Sequence, residues 1–398
     1  MCGFVGFTNL EKSFDTKDNF IIKNMTRSLA HRGPDEEDFY TSSHTNLGHR
    51  RLIILDAKNG KQPMSCTYNN ETYTIVYNGQ LYNAKDIRKD LINLGYEFNG
   101  YCDTEVILKA FVEYGTSIFH KFNGIFSFAI WNNKKNELIL ARDHFGIKPL
   151  YYSLLNNTII FSSEIKAILK YPGFEPIINK EGISELFGIG PAHTPGTCVF
   201  KNIYEIKPSH YGIFNKYGFK TYMYWKMQTK EHTDNFEDTC KKVHQLLDDA
   251  IQRQLVSDVP LCAMLSGGLD SSIIVAYASN YFKENNLPPL KTLSIDYVDN
   301  DKNFVKSDFQ PNSDNYYIDI MQKAFNTNHT NIVIDTPELA ETLKDAMIAR
   351  DFPGMADVDS SMLLFCKNIK QYATVALSGE CSDEIFAGYP WFFREDSL

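Results

Sequence analysis

The chain has 398 residues, enough for two to three domains at about 150 residues each, with apolar cores that need no disulfide or metal staples. Apolar residues make up 43% and charged residues 22%, which is globular rather than disordered composition. A net charge of −9 with no basic run argues against nucleic-acid binding. No apolar run approaches the roughly 18 residues of a membrane span, and the N-terminus lacks the basic region of a signal peptide. The eight cysteines contain no C-x-x-C pair, so they read as reduced, mostly buried thiols of a cytoplasmic protein.

The first half reads as short strands. Candidates are Cys2–Thr8, Leu47–Leu55, Tyr73–Tyr77, Gly124–Trp131 and Glu137–Asp143, with a hairpin loop at 132–136 between the last two. Two helices interrupt them. One is capped by Asn83 and stopped by Gly95; the other is capped by Asp103-Thr104 and ends near Gly115. This grouping predicts a layered α+β domain. Residues Lys207–Thr233 read as a connector. The second half alternates helix and strand: helix Asp234–Leu255, strand Val259–Leu265, helix Ser271–Phe282, strand Lys291–Asp296, helix Asn312–Phe325, strand Thr330–Ile334, helix Pro337–Arg350, helix Asp359–Tyr372 and strand Ala373–Leu377. Such alternation predicts a mostly parallel sheet covered on both faces.

Cys2 follows the initiator Met. With Met1 removed, it would carry both a thiol and an α-amine of intrinsic pKa about 7.7–8.0, a base placed to activate its own nucleophile. The apolar Phe4-Val5-Gly6-Phe7 that follows is not how a frayed tail is built. Arg50 and Arg51 offer guanidiniums for bidentate capture of a carboxylate. Asn78-Gly79 at a strand end can offer a side-chain amide and an unhindered backbone N–H to an oxyanion. Asp103 can hold an ammonium. Taken singly, Asn-Gly is also a common hairpin turn, Asp103 a helix cap and Arg51 a surface charge. Together they match an amino acid bearing a side-chain amide.

The segments MCGFVGF at 1–7, HRGPD at 31–35, HRRL at 49–52, YNGQLYN at 77–83, DTE at 103–105, RDHFGIKPLYY at 142–152 and FSSEIKA at 161–167 resemble the N-terminal-nucleophile (class II) glutamine amidotransferases. The resemblance implies a four-layer α-β-β-α sandwich and a glutaminase. Cys2 would be the nucleophile and its α-amine the base, with Asn78 and Gly79 as the oxyanion hole. Arg51 would bind the glutamine carboxylate and Asp103 its ammonium, with Leu52, Ile53, Ile54, Leu55 and Gln80 lining the pocket. Gln80 stands where that family usually has Glu.

Leu265-Ser266-Gly267-Gly268-Leu269-Asp270-Ser271-Ser272 lies between an apolar strand and a helix, the order in which backbone and helix N-terminus receive a phosphate. It lacks the Walker GxxxxGK[ST] pattern. A second loop, Ser378-Gly379-Glu380-Cys381-Ser382-Asp383-Glu384, follows the strand ending at Leu377, and in a parallel sheet both loops lie where ligands bind. SGGLDSS resembles the loop of ATP pyrophosphatases (the PP-loop). The succession of amidotransferase, SGGLDSS and SGExxDE is similar to the glutamine-dependent asparagine synthetases. That resemblance implies ATP and Mg²⁺ as cofactors, and glutamine, aspartate and ATP as the only partners besides a candidate homodimer. Leu265, Ser266, Gly267, Gly268, Asp270, Ser271, Ser272, Ile295, Ser378 and Gly379 would bind ATP. Asp270 and Asp383 would hold the metal, and Glu380 would meet the intermediate or ammonia. Ammonia would need a dry path. Cys381 stands where Gly is common.

The expected organisation is an amidotransferase domain over 2–218 and an adenylating domain over 219–398. The family's synthetase half runs on past position 398, so a complete glutaminase and an incomplete synthetase are expected, with apolar surface left exposed. Competing readings are a glutaminase serving another acceptor, and a non-catalytic sensor of glutamine or nucleotide. Ring-closing synthetases keep both loops but often lose the nucleophilic Cys.

Overall fold

The computed structural model describes residues 1–306 and 313–395. Two compact units emerge: Met1–Lys230 with Arg350–Gly354, and Glu231–Ala349 with Met355–Leu398.

In the first unit the strands are β1 (Gly3–Asn9), β2 (Glu36–Thr41), β3 (Thr45–Arg51), β4 (Met64–Tyr68), β5 (Glu71–Leu81), β6 (Gly124–Asn132), β7 (Glu137–Arg142), β8 (Tyr151–Leu155), β9 (Thr158–Ser162), β10 (Tyr204–Glu205), β11 (His210–Asn215) and β12 (Gly218–Met223). Its helices are α1 (Thr16–Arg27), α2 (Ala84–Asn93), α3 (Asp103–Tyr114), α4 (Ile165–Ile168) and α5 (Lys180–Gly188). Among the described residues, the strands form two antiparallel sheets, ordered β10-β8-β9-β1-β3-β2 and β12-β11-β7-β6-β5-β4. Phe4, Leu47 and Phe161 of one sheet pack on Val76, Trp131 and Leu140 of the other. The outer face of the first sheet (Val5, Phe7, Ile160) is covered by Ile22 and Met25 of α1 and by Ile165 and Ile168 of α4. The outer face of the second (Tyr77, Phe126, Phe128) is covered by α2 and α3 through Leu91, Val106 and Ile107. This is the expected four-layer α-β-β-α sandwich. Because β6 is buried on both faces, GIFSFAIW reads as one apolar run rather than an alternation.

Several sequence expectations are corrected. The strand expected over Leu47–Leu55 ends at Arg51, because the Arg51 guanidinium gathers the carbonyls of Leu55, Asp56 and Ala57 and turns the chain. Asn78-Gly79 is neither a turn nor a strand end. It lies inside β5, opposite Ser127 and Phe126 of β6. Gly79 is required there because a Cβ would sit 2.2 Å from the Ile125 carbonyl oxygen. The supposed connector Lys207–Thr233 contains the β11–β12 hairpin, paired from His210↔Met223 to Asn215↔Gly218, so the 218/219 boundary falls inside a ladder and the first unit runs to Lys230. Asp103 opens α3 rather than capping it; Cys102 is the N-cap. The thiols are not mostly buried: Cys102 and Cys262 are, whereas Cys240, Cys366 and Cys381 are exposed.

In the second unit the helices are α6 (Phe236–Gln254), α7 (Leu269–Glu284), α8 (Asn300–Asn303), α9 (Asp314–Phe325), α10 (Thr336–Arg350), α11 (Ala356–Ile369) and α12 (Ser382–Phe386). The strands are β13 (Leu261–Met264), β14 (Lys291–Tyr297), β15 (Asn328–Ile334) and β16 (Val375–Leu377), parallel in the order β15-β14-β13-β16. Asn312, the expected start of the helix now labelled α9, lies outside the described residues. One face of the sheet packs on α6, α7 and α9 through Ile251, Val275, Ala278 and Ile318. The other packs on α11 through Leu364, Phe365 and Ile369. Ile385, Trp391 and Phe393 are exposed. Among the described residues, no helix is long and apolar enough to cross a membrane.

Candidate active site

Cys2 immediately precedes β1, whose burial fixes its position. Its thiol donates to the Leu52 carbonyl at 3.7 Å. Its carbonyl oxygen accepts from Arg32 Nε at 2.9 Å. With the Asn78 amide oriented to satisfy both of its ends, Nδ2 donates to that same carbonyl at 3.1 Å and Oδ1 accepts from Arg32 Nη2 at 3.3 Å. The structure therefore brings Cys2, Asn78, Leu52 and Arg32 into direct contact. Burial pushes the Cys2 thiol up, while the Leu52 hydrogen bond, the terminal amine and Arg51 pull the other way. The chain's terminal amine, on Met1, is pulled down to about 6, chiefly by burial, with Arg32 and Lys148 adding to the effect. An amine in this environment is a free base at neutral pH.

Asp103 is buried at the start of α3, and its Oδ2 accepts from Tyr77 O–H at 2.8 Å and Leu81 N–H at 2.9 Å. It thus grips β5 on either side of Asn78-Gly79-Gln80, and burial raises its carboxyl. Arg51 is 4% exposed. Its Nη1 donates to Glu36 Oε2 at 2.8 Å and its Nη2 to the Asp56 carbonyl at 2.8 Å. It is the hub of the 55–57 loop, and a substrate carboxylate would have to replace one of these partners. The Ile53 amide is taken by Asp35 Oδ2 at 2.7 Å, which orders the 52–55 segment.

Sequence reasoning did not assign Arg32, Asp35 or Glu164 to the site. Glu164 accepts from Arg32 Nη1 at 2.8 Å and lies 2.9 Å from His31 Nε2. Burial alone would raise its carboxyl, but His31, Arg32 and Lys166 outweigh burial and hold it at about 2. The available signal was the HRGPD and FSSEIKA segments themselves; their meeting 132 residues apart was not legible.

In the second unit, a cleft of about 300 Å³ opens at the carboxyl ends of the strands, as doubly wound sheets dictate. Leu265, Ser266, Gly268, Asp270, Ser271, Ile295, Ser378, Gly379, Glu380 and Asp383 line it; Gly267 and Ser272 do not. Gly267 has φ +81°, and a Cβ there would meet the Asp314 carbonyl at 2.8 Å, so its task is to let the loop turn under α9. Ser272 sits within α7. Ser271 Oγ ties the loop together, accepting from Ser266 N–H at 3.2 Å and donating to the Gly268 carbonyl at 3.1 Å. A Cβ on Gly379 would come 3.0 Å from Asp270 Cβ, so the two loops pack closely. Cys381 has φ +72°, the conformation that favours glycine. Sequence reasoning missed Met264, Leu293, Met362 and Phe365, which add apolar lining, and Tyr389.

Asp270 is raised by burial and by the facing Asp383 charge, the signature of a carboxylate pair that a divalent cation would relieve. Among the described residues, no three His, Cys, Asp or Glu side chains are grouped to hold a metal. Two carboxylates are hard oxygen donors of the kind that would hold Mg²⁺ together with phosphate and water.

A thiol at the chain start on an α-β-β-α sandwich, followed by a strand–SGGLDSS–helix cleft, defines an amidotransferase joined to a nucleotide-binding domain. Family profiles agree: residues 1–225 match the glutamine amidotransferase domain and residues 242–398 match asparagine synthase. Asparagine synthetase [glutamine-hydrolyzing] 3 of Bacillus subtilis is 47% identical over 100% of this chain and 64% of its own length. Asparagine synthetase [glutamine-hydrolyzing] 1 of the same organism is 34% identical over 98% of this chain and 59% of its own. A Methanocaldococcus jannaschii protein is 31% identical over 98% of this chain and 76% of its own. The chain belongs to the family of glutamine-hydrolysing asparagine synthetases. It spans about three fifths of the length of the two Bacillus relatives.

Proposed function

We propose that the chain carries the two half-reactions of glutamine-dependent asparagine synthesis: hydrolysis of glutamine in the first unit, and adenylation of aspartate by ATP followed by amidation in the second. The observation that carries this reading is the half-buried Cys2 at the chain start, its carbonyl held by Asn78 and Arg32.

Once Met1 is removed, the Cys2 α-amine takes the thiol proton as Sγ bonds to the glutamine amide carbon. Asn78 Nδ2 and the Gly79 N–H receive the developing oxyanion. The amine returns the proton to the departing ammonia as the C–N bond breaks, and water then cleaves the thioester to glutamate. Arg51 with Leu52–Leu55 and Gln80 receives the substrate's carboxylate end, and Asp103 its ammonium. In the second unit, the aspartate side-chain carboxylate attacks the α-phosphorus of ATP and pyrophosphate leaves. Ammonia then displaces AMP, with Glu380 taking the surplus proton. Ser266, Gly268 and Ser271 hold the phosphates, Gly267 and Ser272 shape the loop, and Leu265, Ile295, Ser378 and Gly379 hold the nucleotide. Asp270 and Asp383 would hold Mg²⁺, which neutralises phosphate charge when bound. A cytoplasmic setting, supported by eight unpaired cysteines, goes with this reading; a homodimer is proposed on the resemblance alone.

Cys2→Ala is expected to abolish glutamate release from glutamine while leaving ammonia-dependent pyrophosphate release intact. Glutamine hydrolysis persisting in that variant would remove Cys2 as nucleophile.

A further inference from the structure

The segment Arg350–Gly354 joins α10 to α11, yet it belongs to the first unit. Asp351 turns the chain there with φ +70°, a left-handed conformation that a short polar side chain tolerates. Its side chain is 8% exposed, and Oδ1 lies 3.0 Å from Lys166 Nζ. Oδ2 accepts from the amides of Ile165 at 2.8 Å and Lys166 at 3.2 Å. Phe352 packs against the cluster that contains Ile165 and Ile203. Arg350 Nη2 donates to the Pro191 carbonyl at 3.4 Å.

Lys166 is gripped from its other side by Glu164, whose Oε2 accepts from Nζ at 2.5 Å. Glu164 Oε1 in turn accepts from Arg32 Nη1. The remaining nitrogens of Arg32 donate to the Cys2 carbonyl and the Asn78 amide oxygen. Asp351, Lys166, Glu164 and Arg32 thus form one unbroken run of ion pairs, with every side chain 20% exposed or less. It ends on the nucleophile's residue and the oxyanion amide. Removing one partner of a buried pair leaves the next charge uncompensated. Without the Asp351 charge, Lys166 has only Glu164 and draws its carboxylate away from Arg32. The amides that follow Glu164 lose their acceptor as well.

We propose that Asp351 is a positioning residue for glutamine hydrolysis, acting through Lys166 and Glu164 to hold Arg32 on the Cys2 carbonyl and the Asn78 amide. It comes from the stretch that matches asparagine synthase, not from the amidotransferase stretch, so the second half of the chain completes the glutamine site. The proposal rests on the reading of Cys2 as nucleophile and Asn78 as oxyanion donor. Arg51 and Asp103, which receive the ends of the substrate in that reading, are held by other partners, Glu36 and Tyr77. The effect of Asp351 therefore falls on kcat rather than KM.

The test is kcat and KM for glutamine hydrolysis by the full chain, in the unsubstituted protein, Asp351→Asn, Lys166→Met and the double variant. Each single change is expected to lower kcat by roughly tenfold through misplacement of the reacting groups, with KM held within about twofold. The double variant should lose no more than the worse single one, because both act along one path. A folded Asp351→Asn with unchanged kcat overturns the proposal, even if its Tm falls. Losses that multiply in the double variant, or a loss confined to KM, overturn it too. If Asp351→Asn does not fold, Lys166→Gln decides, since it leaves Asp351 its two backbone donors: a lower kcat at constant KM supports the proposal, and an unchanged kcat overturns it. Hydrolysis surviving Cys2→Ala would instead mean that the nucleophile reading had failed.

Discussion

Burial sets the chemistry of individual residues in the first unit before any substrate arrives. His49 on β3 is fully buried, its Nε2 3.0 Å from the Tyr77 carbonyl, and desolvation holds its imidazole down at about 4. Glu164 is held at about 2 by the His31 hydrogen bond and the Arg32 and Lys166 cations. Both groups bind fewer protons in the folded chain than in the unfolded one, so both contribute stability at neutral pH that is lost on acidification. For His49 the loss spans pH 6.5 down to about 4, and for Glu164 pH 4.5 down to about 2. Urea denaturation across these windows should show stability falling in both. Glu164→Gln should flatten the lower window and lower neutral-pH stability by on the order of 3 kcal/mol. A lower window unchanged in that variant would show that the cluster does not carry the effect. Cys2, Asn78 and Asp103 were legible in the sequence because their types announce a chemistry. Arg32 and Glu164 were legible as letters of a motif but not as roles, because their contacts join residues 30 and 132 positions apart.

At the scale of elements, β5 carries the site. It presents Asn78 and Gly79 toward the chain start while pairing along its length with β6, from Tyr73↔Asn132 to Leu81↔Gly124. Gly79→Ala would put a Cβ 2.2 Å from the Ile125 carbonyl and 2.7 Å from Phe126 Cα, both backbone atoms that cannot swing aside. A cost of about 1–3 kcal/mol is expected, together with lost glutamine turnover as Asn78 shifts. Thermal unfolding and glutamate release check the two effects, and a wild-type Tm would contradict the packing argument. The buried strands were legible as apolar runs. The β11–β12 hairpin was not, because β12 is an edge strand whose Lys220, Thr221 and Tyr222 are exposed and read as linker. Helix α1 was legible only as a helix before the HRGPD turn, without bounds. It is polar on average and announced mainly by its Asp15–Asp18 capping box, a signal the apolar pattern did not amplify.

The whole molecule consists of two units with separate cores, an antiparallel sandwich and a parallel sheet. The alternation of helices and strands made the second unit's order legible in the sequence. Its cleft was legible through SGGLDSS and SGExxDE, but the apolar lining from Met362 and Phe365 of α11 emerges only once that helix is packed. The central proposal is that one chain both hydrolyses glutamine and adenylates aspartate, against the expectation of an incomplete synthetase. It is tested most directly by supplying the 398-residue chain with ATP, Mg²⁺ and aspartate, first with glutamine and then with ammonium, and measuring glutamate, asparagine and pyrophosphate together. The account predicts glutamate only with glutamine, and asparagine matched by pyrophosphate with either nitrogen source. Glutamate without asparagine or pyrophosphate would contradict it and confine the chain to glutamine hydrolysis.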